Sequence, residues 1–77
     1  MKNYFITVEE TKNVIDEYII TAKNALQAYA YHKYTDGAKV RSIKRLTEKR
    51  AARLIRSGAF VTVEAPENFK IKTGLTA

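Results

Sequence analysis

KVRSIKRLTEKRAARLIR, residues 39–56, decides the fold, because it divides naturally into a strand and a helix or else runs as one long helix. In the first reading Lys39 to Leu46 is a strand. Thr47 then caps a helix that begins with Glu48, whose charge suits the positive end of the helix dipole. In the second, one helix runs from about Lys39 to Ser57, since Val40, Ile43, Thr47, Ala51 and Leu54 also fall on a helical stripe. The Thr47-Glu48 start signal in mid-segment and the β-branched Val40 and Ile43 favour the first. Either way Glu48 to Arg56 is helical, with Ala51, Leu54 and Ile55 inward, Lys49, Arg53 and Arg56 outward, Arg50 at the margin and Gly58 as the stop.

The same segment concentrates the charge. It holds eight of the fourteen Lys and Arg residues and only one acid, Glu48, for a local net charge of +7. Residues 1–36 carry four bases against five acids, and residues 57–77 two of each. Such a localised positive potential attracts nucleic acid or acidic protein surfaces. As a strand, Lys39 to Leu46 would place Lys39, Arg41 and Arg45 on one side.

Upstream, Tyr4, Ile6 and Val8 share one face of a strand, Tyr4 to Val8. Glu9 to Asn13 is polar and turn-like, and Val14 to Ala22 alternates as an antiparallel partner, with the loop near Thr11 to Asn13. Asn24 is a helix N-cap with Gln27 three residues on, as in a capping box. The helix runs from Ala25 to about Tyr34, its inner stripe Ala25, Ala28, Tyr29 and His32, and ends at Asp36-Gly37. Downstream, Ala59 to Val63 is a strand, Ala65 to Asn68 a turn, and Phe69-Lys70-Ile71-Lys72 alternates as a short further strand before a frayed tail. The expected fold is one α+β domain over residues 1–77. It has two helices and an antiparallel or mixed sheet of four strands, or five if the last segment pairs, in the order β-β-α-β-α-β.

Composition narrows the chemistry. The 45% hydrophobic content suits a globular domain. With no Cys, disulfides and thiolate sites are excluded, and a single His leaves few transition-metal ligands. No cofactor or metal is therefore expected. No apolar run approaches the roughly 20 residues of a membrane span, nor does Met1-Lys2-Asn3 open a signal peptide, so a cytoplasmic protein with no membrane partner is expected. No catalytic set assembles. His32 lies on a core stripe, Glu9-Glu10 and Asp16-Glu17 are sequence neighbours that sit in a turn or face opposite ways, and the glycines are scattered. The candidates are surfaces: Lys39, Arg41, Lys44, Arg45, Lys49, Arg50, Arg53 and Arg56, joined by Tyr31 and Tyr34, which lie off the inner stripe of the first helix.

Two resemblances bear on the partner. Residues 18–28, YIITAKNALQA, with residues 37–44, GAKVRSIK, resemble the strand, helix, strand plan of small bacteriophage inhibitors of the anti-CRISPR and host RNA polymerase inhibitor type. The Thr7-Val8-Glu9 strand is similar as well. Two arginines that contact the polymerase in that family correspond to Ser42 and Lys44. Residues 49–63, KRAARLIRSGAFVTV, with Phe69 to Gly74, are similar to the RNA-binding domain of small-subunit ribosomal protein four, with Glu64-Ala65-Pro66 in place of its Asn-Gly turn. That resemblance implies phosphate contacts by Arg50, Arg53 and Arg56. The expectation is a non-catalytic inhibitor that docks its basic surface on a host protein or ribonucleoprotein complex, in a bacterial cytosol if phage-encoded. The alternative is a small module that binds RNA or DNA directly.

Overall fold

The computed structural model describes residues 1–69. Lys2–Thr11 (β1) and Val14–Ala22 (β2) form an antiparallel hairpin, followed by Ala25–Thr35 (α1), Lys39–Leu46 (β3), Glu48–Ser57 (α2) and Thr62–Glu64 (β4). The β-β-α-β-α-β order is the expected one, and residues 39–56 are strand then helix. The proposed strand beyond Phe69 and the frayed tail lie outside the described residues.

Strand order is β3-β1-β2-β4, with β1 antiparallel to both neighbours and β4 parallel to β2. The chain thus hops over β1 twice: once through α1 to reach β3, and back through α2 to reach β4. The two crossovers use opposite faces of the sheet. Tyr4, Ile6, Val8, Ile20 and Ala22 bury one face against Ala28 of α1. Ile19 and Leu46, with Phe5 and Phe60 packed alongside, bury the other against Ala51 and Leu54 of α2. The fully buried Ile6, Ile19 and Ile20 each contribute about 1.5–3 kcal/mol relative to exposure, so the central strands hold the two layers together. Ala28 and Ala51 have no bulk to hold either helix away.

Local signals set the ends of both helices. The Asn24 side chain accepts from the Gln27 amide at 2.8 Å. Gln27 reaches back to the Lys23 N–H, also 2.8 Å, one residue earlier than a standard capping box. At the far end the Asp36 and Gly37 amides both donate to the His32 carbonyl, with Gly37 at φ +81°. In α2 the Thr47 hydroxyl accepts from the Arg50 amide at 3.2 Å, and Gly58 ends the helix at φ +73°.

Tertiary packing overrules other expectations. β1 extends through Thr11, because Glu9 pairs with Ile15 and Thr11 with Val14, with Glu10 bulged between them, across a two-residue loop in which Asn13 takes φ +72°. The buried stripe of α1 is Gln27, Ala28 and His32, with Tyr31 half-buried beside it, while Ala25 and Tyr29 turn outward. Alanines and aromatics run all round α1, so hydropathy marks no face, and the buried Gln27 amide orients the helix instead. In α2, Ala51 and Leu54 face the sheet while Ile55 stays 43% exposed. The last described strand is only three residues long. Phe60, expected within that strand, precedes it and meets the Phe5 ring edge-on, with centroids 5.2 Å apart.

Candidate functional site

Among the described residues β3 is an edge strand, so part of its charge discourages pairing with stray strands. Its register against β1 shows where that charge points. Thr7 pairs with Ser42 and Val8 with Val40, leaving Arg41 as an extra, bulged residue. One extra residue swaps the faces beyond it. Lys39 and Lys44 therefore share the Phe5 side of the sheet, whereas Arg45 pairs with Tyr4 on the α1 side. The expected common side for Lys39, Arg41 and Arg45 is thus broken by the bulge. Arg41 approaches Glu9 at 3.9 Å, an exposed pair that contributes little energy but offsets its charge. Among the described residues, the other seven cations of the segment have no carboxylate within ion-pair distance.

Two adjoining depressions lie on the α2 side. A groove of about 510 Å³ is lined by Phe5, Leu46, Leu54 and Phe60, with Lys44, Arg45 and Arg50 at its border. A second, shallower depression of about 360 Å³ is lined by Thr47, Lys49, Arg50 and Arg53. Arg50 belongs to both, so a residue expected only at the margin of the helix stands at the junction of the site. Arg56 lines neither depression, nor do Lys39 and Arg41. The groove's aromatic floor has only a faint sequence signal. Phe5 falls off the Tyr4, Ile6, Val8 period, and Phe60 lies just past the glycine that ends α2.

The tyrosines divide. Tyr31 packs against the core and meets Phe69 edge-on at 5.1 Å, whereas Tyr34 is 78% exposed. Both sit on α1, on the opposite face of the sheet from the basic depressions.

Towards the β1–β2 turn the charge is of the opposite sign. Glu10, Asp16, Glu17 and Asp36 line a hollow of about 300 Å³ together with Tyr18, Thr35, Val61 and Val63. Glu10 and Asp16, on adjacent strands, converge there with Asp36 from the end of α1. Partial loss of water contact, followed by the Asp36 and Asp16 charges and a hydrogen bond with Asp36, raises the Glu10 carboxyl above its ordinary value against the opposing pull of His32. Burial, then the same carboxylates, pushes the Tyr18 phenol up to about 12.

Beneath this hollow His32 is fully buried. Its Nε2 lies 2.8 Å from the Ala38 carbonyl and its Nδ1 2.6 Å from the Tyr18 hydroxyl. A carbonyl only accepts, so Nε2 carries the proton and Nδ1 accepts from Tyr18. Both nitrogens are committed to holding α1, β2 and the start of β3 together, as a core histidine requires.

Among the described residues no helix is long and apolar enough to cross a membrane. Comparison of this chain with family models, curated proteins and solved structures finds no match, so the two resemblances rest on the residues quoted for them.

Proposed function

We propose that this chain is a non-catalytic binding module that grips a nucleic-acid backbone with its α2–β3 face. The supporting observation is the pair of adjoining depressions, joined at Arg50 and lined by Lys44, Arg45, Lys49, Arg50 and Arg53 with no carboxylate in either. Surface charge placed for solubility alone has both signs interspersed. A face that collects Lys44, Lys49, Arg50 and Arg53 around two hollows, with Arg45 at the strand edge beside them, suits a polyanion whose charges repeat along a chain.

The test is a salt titration with bare RNA and DNA. Direct phosphate binding gives an affinity whose logarithm falls linearly with the logarithm of salt concentration, by about 0.7–0.9 per phosphate engaged. Three to five contacts correspond to a slope of about −2 to −4.5. No measurable binding at about 50 mM salt would sink the proposal.

A second reading is the inhibitor, which docks on a host protein or ribonucleoprotein complex and covers an acidic or nucleic-acid-binding site. The observation in its favour is on α1, where Leu26, Tyr29 and Tyr34 are large and exposed. Tyrosine is enriched in protein interfaces, and phosphate binding leaves these three unused. Retention of a host complex by a protein that ignores bare nucleic acid is the outcome this reading requires.

A further inference from the structure

Phosphate binding needs cations and leaves the larger groove unexplained. Its floor is Phe5, Leu46, Leu54 and Phe60, four apolar side chains from β1, β3, α2 and the α2–β4 connection. Phosphates gain nothing from such a floor. We infer that this groove takes an unpaired base of a single-stranded nucleic acid, with the neighbouring phosphates held by Lys44 and Arg50. The inference rests on the nucleic-acid reading proposed above and specifies which form of nucleic acid is bound.

Three observations carry it. The Phe5 and Phe60 rings meet at 80° and both border the groove, so a planar group entering it can lie parallel to one ring and edge-on to the other. The volume of about 510 Å³ falls in the range of small-ligand clefts, roughly 300–1,000 Å³, and exceeds what a lone side chain needs. The cations also continue past the groove, since Arg50 leads into the depression formed with Lys49 and Arg53. A chain with a base in the first hollow and its next phosphates over the second would engage both. An aromatic platform beside a basic track is the arrangement by which single strands are held without sequence preference. A duplex keeps its base faces stacked inside and can offer this groove only phosphate.

The chain contains no tryptophan, so Phe60→Trp places a single indole reporter in the groove wall. Four probes are titrated into the 77-residue chain: an oligothymidylate of about 12 nucleotides, a duplex of the same length, inorganic polyphosphate and polyglutamate. Oligothymidylate is expected to quench the indole by stacking, while duplex and polyphosphate bind without quenching. In the otherwise unaltered protein, Phe60→Leu should weaken oligothymidylate binding about tenfold and leave polyphosphate binding unchanged. The tryptophan variant keeps the test decisive even where leucine loosens the packing against Phe5.

Failure takes distinguishable forms. Equal binding of single strand and duplex, with no quenching and no effect of Phe60→Leu, overturns the groove assignment while backbone binding stands. Absence of binding to any nucleic acid overturns both. Quenching by polyglutamate as strong as that by oligothymidylate assigns the groove to an acidic polypeptide instead.

Discussion

Tyr18→Phe removes a single oxygen and tests the join between the sheet and α1. In the native protein that oxygen donates to Nδ1 of His32 at 2.6 Å, while Nε2 is already engaged by the Ala38 carbonyl at 2.8 Å. His32 is wholly inaccessible to solvent, so the substitution strands a buried acceptor with no water at hand. An orphaned buried acceptor costs about 1–3 kcal/mol. For a chain of 77 residues each kcal/mol lowers Tm by about 4–8 °C, so a fall of roughly 5–20 °C is expected. Urea unfolding followed by circular dichroism should show a lower midpoint with an unchanged slope, since the surface exposed on unfolding is almost the same.

The substitution also leaves a signature in alkali. The Tyr18 phenol titrates near 12 in the folded protein and at the ordinary 10.0 when unfolded. A raised folded-state value means that its contribution is complete below pH 10 and drains away as pH climbs towards 12. Tyr18 is only half-buried, and after discounting for solvent screening this loss is on the order of 1 kcal/mol. Tyr18→Phe should flatten that portion of the stability curve. A cost under about 0.5 kcal/mol, together with an unaltered alkaline slope, would refute the claim that Tyr18 and His32 lock the helix to the sheet.

Other outcomes follow from single features. Arg50→Glu should weaken nucleic-acid binding and reduce the salt slope more than Arg56→Glu, because Arg50 borders both depressions and Arg56 neither; equal effects in parallel titrations would move the site off the groove. Thr47→Ala removes the hydroxyl that accepts from the Arg50 amide and should cost about 1 kcal/mol in chemical denaturation, while also loosening the turn that carries Arg50. Gly58→Ala meets no atom within 4 Å, so its cost is backbone alone, about 1–2 kcal/mol at φ +73°, and binding by the folded fraction should be unchanged.

The legible parts of this chain were those written in neighbouring residues. Asn24 with Gln27, Thr47 with Glu48, and the glycines at 37 and 58 fixed the limits of both helices, and the period-two run of Tyr4, Ile6 and Val8 identified the inner face of β1. What escaped depends on contacts between distant segments. Nothing in Lys39 to Leu46 announces that Arg41 bulges, yet that one residue sends Lys39 and Arg45, which a regular strand would keep together, to opposite sides of the sheet. Hydropathy in α1 could not choose between Tyr29 and Tyr31 for burial, because the decision falls to Gln27, whose amide also donates to the Phe69 carbonyl at 3.2 Å. The basic residues were visible as a list, but the aromatic floor between them forms only when Phe60 folds back over Phe5.

The outer edge opposite β3 has a bearing on order of opening. β4 is three residues long and, among the described residues, joins the sheet only along β2, with the Ile19 amide donating to Val61 at 2.9 Å and the Ala65 amide to Thr21 at 2.8 Å. The hairpin it leans on is nine to ten residues a side. Amide exchange should therefore release Ile19 and Ala65 well before the centre of β1, through an opening that frees residues 58–65 and leaves the hairpin closed. Phe60 travels with that segment. A ligand held against its ring would slow exchange at Ile19, on a strand it never touches.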